Sequence, residues 1–168
     1  LAVDPGSRDA GAALFRDGDL VEVWSGHVPV GWDRKRRSFA LIQSLDDWLF
    51  PYIKHLPVPL PVDLVYEEPS FFVTGGRGRP IAALERFVGM IELWGRTKGM
   101  NVVGYNVSTV KTGVAGRASA SKEEVESILR HEYNLHEEKY TEHVWDAIGI
   151  GTYHMAVLRQ EAAIARAD

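Results

Sequence analysis

Short apolar runs at residues 1–3, 10–15 and 20–24 open the chain, the second and third separated by Arg16-Asp17-Gly18-Asp19. Asp-Gly between two such runs is a strong hairpin signal, so three strands are predicted. From Ser38 the apolar positions Phe39, Leu41, Ile42, Leu45, Leu49 and Ile53 fall near a 3.6-residue period, which predicts an amphipathic helix, and Pro57, Pro59 and Pro61 end it. Residues 62–66 read as a short buried strand that runs into two carboxylates. Residues 70–80, rich in glycine and arginine, predict a loop leading into a helix over 81–97. On that helix Leu84, Phe87, Val88, Ile91 and Trp94 share a face, while Ala83, Met90 and Leu93 widen the stripe beyond what one core contact requires. A second apolar partner, such as another copy of the chain, would account for the excess. Residues 101–105 predict another strand. Ser121 and Glu124 form a capping box that opens a helix to about residue 133, and residues 141–165 predict a long final helix. Strands alternating with helices in this order give an α/β class with a mixed sheet.

The chain has 168 residues, 45% hydrophobic and 25% charged, which predicts one domain over residues 1–168. With no cysteine, disulfide scaffolds, Cys-ligated zinc, iron–sulfur clusters and thiol nucleophiles are excluded. No apolar run approaches the roughly 20 residues that span a bilayer, and no signal segment opens the sequence, so a soluble, cytoplasmic protein without a membrane partner is expected. Leu1 already lies inside a strand pattern, so residues are expected ahead of it. The net charge of -4 is unevenly placed: residues 1–33 carry -4, residues 34–122 carry +6 and residues 123–168 carry -6. Within the basic block lie Arg34, Lys35, Arg36 and Arg37, then Arg77, Arg79, Arg96, Lys98, Lys111, Arg117 and Lys122. Cations so spaced suit a phosphate track if the fold gathers them; otherwise they are a solvated surface.

Three places carry candidate chemistry. Asp4 ends an apolar strand where Pro5 and Gly6 turn the backbone, as a site residue or a turn-capping one. Glu67 and Glu68 end another strand, and since neighbours on a strand face opposite ways, at most one can look toward Asp4. His143 and Asp146, three apart near the start of the last helix, share a face amid Val144, Trp145, Ala147 and Ile148. A carboxylate in such apolar surroundings calls for a cation. The set is rich in oxygen and poor in nitrogen, which selects Mg²⁺ or Mn²⁺ over zinc, and two such ions about 4 Å apart serve phosphodiester hydrolysis.

These residues resemble a known family. The opening Leu1 to Gly11, with Asp4 at the strand end, Val65-Tyr66-Glu67-Glu68, the segment from Val110 through Lys111 to Lys122, and His143-Val144-Trp145-Asp146 are together similar to the RuvC-type Holliday junction resolvases, which belong to the RNase H-like nucleases. The resemblance runs through nearly the whole chain and favours Glu67 over Glu68. It implies a mixed five-stranded sheet flanked by helices and a homodimer. The implied activity is an endonuclease that nicks two opposed strands of a four-way DNA junction in recombination and repair, leaving 5′ phosphates and 3′ hydroxyls. It further implies that Asp4, Glu67, His143 and Asp146 hold two Mg²⁺, with Mn²⁺ as a substitute, and that Lys122 and Lys111 face the phosphates. Arg77 and Arg79 are expected to contact DNA, and Phe71 or Phe72 to wedge open the crossover. The residues 32–37 have no counterpart role beyond their charge. Three alternatives follow from the residues: a phosphate-cradling turn of the sugar-kinase type, which needs a second lobe; an RNA-directed nuclease of the same fold; and a noncatalytic junction-binding protein.

Overall fold

The computed structural model describes residues 1–6, 8–29, 31–69 and 79–167, and within its helices the side chains of residues 34, 35 and 79–83 lie outside the description. The chain opens with β1 (Ala2–Asp4), β2 (Asp9–Arg16) and β3 (Asp19–His27). At the β2–β3 hairpin, Asp17 and Gly18 both take left-handed backbone (φ 55° and 97°), which lets a two-residue turn follow the twist of its strands. Then come α1 (Arg34–Ile53), β4 (Asp63–Glu67), α2 (Arg79–Thr97), β5 (Asn101–Tyr105), α3 (Val107–Ala115), α4 (Lys122–Glu132) and α5 (Glu142–Ile164). The sheet order is β3-β2-β1-β4-β5; β2 is antiparallel to both its neighbours, whereas β1, β4 and β5 are parallel. This is the α/β class with a mixed sheet that the sequence pattern predicts, and the five strands flanked by helices that the resemblance implies.

Strand alternation sorts the core into two layers. Val3, Ala10, Ala12, Leu14 and Leu64 pack with Leu41, Leu45 and Leu49 of α1 and with Phe87 and Ile91 of α2. Ala13 packs beneath Val144, Ala147 and Ile148 of α5 with Leu129 of α4, and Ala2 and Val65 meet Ile150 of α5 and Val110 of α3. Burying each Leu, Ile or Phe contributes about 1.5–3 kcal/mol, enough to fix which face of every strand looks inward. By the same alternation Asp4 shares the face of Ala2, and Glu67 that of Val65. Both carboxylates therefore end their strands on the α5 side.

Two elements depart from expectation. The first helix begins at Arg34, ahead of Ser38, because Asp33 accepts the Arg36 backbone N–H at 3.0 Å and starts the turn early. The second departure is α3, which the sequence reading leaves out: Asn106 caps it by accepting from the Ser108 N–H, and Gly116 (φ 74°) closes it in left-handed backbone. On α2, Phe87, Val88 and Ile91 are buried, but Leu93 remains exposed, so part of its wide apolar stripe stays outside the core. None of the described helices is long and apolar enough to cross a membrane.

Candidate active site

Parallel neighbours β1 and β4, paired through Ala2 with Val65 and Val3 with Tyr66, deliver Asp4 and Glu67 side by side at their C-terminal ends. The first turns of α5 cross the same end. Their approach requires Gly11: a Cβ there would lie 2.1 Å from the His143 carbonyl oxygen, so only glycine lets α5 sit this close to β2. His143 Nδ1 consequently meets Asp4 Oδ2 at 2.5 Å, with Asp4 buried beneath it.

One turn further along α5, Asp146 Oδ2 accepts from Lys122 Nζ at 2.9 Å. Lys122 opens α4 directly after its N-cap Ser121, inside the Ser121–Glu124 capping box, which forms as predicted, and it also pairs with Glu142. Lys111, on α3, donates to the Ala120 carbonyl at 2.8 Å, so its ammonium sits against the lead into α4. A pocket of about 190 Å³ joins these groups: Glu67, Lys111, Lys122 and Asp146 share its wall with Val110 and Ile150. A larger cavity, of about 270 Å³, lies at the opposite end of the sheet around Asp63 and His154 and includes none of the predicted site residues.

The electrostatics are those of crowded carboxylates. Burial, then the negative charges of Asp4 and Asp146, push Glu67 up to about 7 from an ordinary 4.5, against the opposing pull of Lys122 and Lys111. Burial likewise raises Asp146, the Lys122 hydrogen bond opposes it, and Asp4 adds to the rise. His143 is raised chiefly by its hydrogen bond to Asp4. Burial disfavours the Lys122 cation, but hydrogen bonds to Glu142 and Asp146 outweigh that and hold its pKa above the ordinary lysine value.

Asp4, Glu67, His143, Asp146, Lys122 and Lys111 are thus brought to one end of the fold, while Glu68 is exposed. Among the described residues no three His, Asp or Glu side chains form a ready-made cage for an ion; Asp4 is engaged by His143 and Asp146 by Lys122. The donor set nevertheless suits a hard divalent cation, since Asp4 and Asp146 raise the proton affinity of Glu67 and Asp4 raises that of Asp146, a crowding of negative charge that such a cation offsets. Phe71, Phe72 and Arg77 lie outside the described residues; Arg79 begins α2, with its side chain outside the description. The sequence reading missed Glu142, four residues before Asp146 and hence on the same helix face, which is the spacing that could have revealed it.

Comparison with known proteins follows the same line. Two solved structures share the fold: a Thermus thermophilus RuvC structure (TM-score 0.70, 21% identity, covering 95% of this chain and 95% of that one) and T. thermophilus RuvC in complex with Holliday junction substrate (TM-score 0.75, 19% identity, 95% and 93%). Curated protein sequences return no match. The family described as Crossover junction endodeoxyribonuclease RuvC matches residues 1–154, most of the length, and the chain belongs to that family.

Proposed function

We propose that this chain resolves four-way DNA junctions by hydrolysing one phosphodiester in each of two opposed strands. The observation that carries the reading is the electrostatic coupling of Asp4, Glu67 and Asp146 at the ends of β1, β4 and the start of α5, with Lys122 hydrogen-bonded to Asp146. That arrangement belongs to a chain of the crossover junction endodeoxyribonuclease family, and a fold relative is solved with a Holliday junction substrate.

Nucleases of this family depend on a metal ion. Asp4, Glu67, Asp146 and His143 would hold two Mg²⁺, which when bound supply an activated water and charge neutralisation at the phosphate. The chain's own side chains do the rest. Glu67 must give up the proton that its neighbours help it retain, because only the carboxylate is a ligand. Asp4 fixes the orientation of the His143 ring. Lys122, released from Asp146, places a fixed positive charge beside the phosphate, and Lys111, anchored on Ala120, adds to it from across the pocket. We assign the segment carrying Phe71, Phe72 and Arg77, together with Arg79, to the crossover.

Residues 1–168 act as a single nuclease domain in the cytoplasm. One site cuts one strand, so symmetrical resolution calls for a two-fold dimer, and α2 with its outward Leu93 is the assigned contact. The test is cleavage of a labelled four-way junction, a linear duplex and an RNA–DNA hybrid by the same preparation. Selective cutting of the junction supports the proposal. Preference for the hybrid would assign the fold to RNA, and binding without cutting in Mg²⁺ would leave a junction-binding protein.

A further inference from the structure

The first turn of α1 breaks an ordinary rule of helix design. A helix N-terminus carries partial positive charge and favours acidic neighbours, yet α1 has none in its first turn and begins with Arg34, Lys35, Arg36 and Arg37. Asp33 compensates in part, accepting the Arg36 N–H and facing its guanidinium at 3.4 Å. Large apolar side chains flank this charge in the open: Trp32 is 47% exposed and Phe39 62% exposed. They are not scattered, for Trp32, Arg36 and Phe39 line one shallow depression of about 380 Å³ together with Ala40 and Gln43. The segment is also tied down, since Arg37 Nε donates to the Trp32 carbonyl at 2.7 Å.

Topology places this patch at the same end of the sheet as the active site, on the face that α1 covers rather than the α5 face. β1 runs toward Asp4, β2 returns and β3 runs up again, so His27 at the end of β3 pairs with Asp9 just past the β1–β2 turn. The start of α1 follows within seven residues. Two strand spacings, roughly 10 Å, separate the line of β1 from that of β3, and a DNA strand leaving the cut site reaches the patch by rounding the end of the sheet to the α1 face.

We propose that Trp32, Arg36 and Phe39 form a second DNA contact that takes an unpaired base, the rings stacking on it and the arginines holding its phosphates. Duplex would satisfy the cations alone; exposed rings beside them fit a base freed from its pair. This contact rests on the reading of the chain as a DNA-junction nuclease, and the test separates the two.

Wild-type protein, Trp32→Ala, Phe39→Ala and Arg36→Gln are measured in EDTA for binding to a four-way junction with fully paired arms and to one with a short run of unpaired thymidines beside the crossover. Wild type should bind the unpaired junction more tightly. Each alanine variant should lose at least about 5-fold on that substrate alone, given the usual cost of removing a stacking ring, with melting temperature and the rate of cutting paired junction unchanged. Arg36→Gln should weaken binding to both, with a shallower salt dependence. If both alanine variants bind the unpaired junction as wild type does, the contact is wrong even though junction cleavage persists. A fall in dimer mass with DNA binding intact would overturn it as well, assigning the face to another copy of the chain. Wild type that neither binds nor cuts any junction removes the functional reading itself.

Discussion

Replacing Glu67 by Gln should stabilise the metal-free protein at high pH while abolishing its chemistry. Glu67 is driven up to about 7 in the folded chain by burial and by Asp4 and Asp146, against 4.5 when exposed. Above neutrality the folded state must carry a charge it disfavours, and the difference between the two values is worth about 3 kcal/mol. The sign follows from proton binding. Between 4.5 and about 7 the folded state holds more protons than the unfolded one, so wild-type stability falls as pH rises through that window. Gln, which mimics the protonated acid, escapes the loss. Melting in EDTA should therefore show Glu67→Gln about 5 to 10 °C above wild type near pH 8.5, and the two converging below pH 4.5. Saturating Mg²⁺ should narrow the gap by stabilising only the wild type. Equal melting temperatures at pH 8.5, or a gap that widens toward acid, would refute the claim that these carboxylates repel one another across the site.

Asp146→Asn should retain junction affinity while cleavage falls by at least about 100-fold, because the amide keeps the shape but not the anionic ligand; single-turnover assays read both quantities. His143→Asp should keep measurable cleavage where His143→Ala keeps little, since a carboxylate can also ligate, and equal inactivity would remove His143 from the ligand set. Gly11→Ala should destabilise by about 1 to 3 kcal/mol in urea unfolding, as the new methyl group meets the His143 backbone rather than a movable side chain, and an unaffected midpoint would contradict the close approach of α5.

The site was legible wherever it depended on strand and helix periodicity. Alternation along β4 separates Glu67 from Glu68, and their exposure differs accordingly. A three-residue spacing on α5 puts His143 and Asp146 together, and Ser121 with Glu124 marks the start of α4 beside Lys122. What could not be read is what tertiary packing decides. Ser108, Thr109, Thr112 and Gly113 give α3 poor intrinsic helix propensity; the segment is held by Val110 in the core and by Gly113, whose missing side chain admits the Tyr153 ring. Only its caps, Asn106 and Gly116, announce it locally. Charge runs mislead in the opposite direction: periodicity starts the first helix at Ser38, while Arg34 to Arg37 form its first turn, because no periodicity distinguishes a cationic first turn from a linker.

The most direct test of the central claim maps both cuts on a four-way junction labelled on each strand, in Mg²⁺ and in EDTA. The account predicts paired nicks at symmetry-related positions on opposed strands, products that ligase reseals, and no cutting in EDTA. Cleavage that persists in EDTA, or that falls equally on linear duplex, would contradict it.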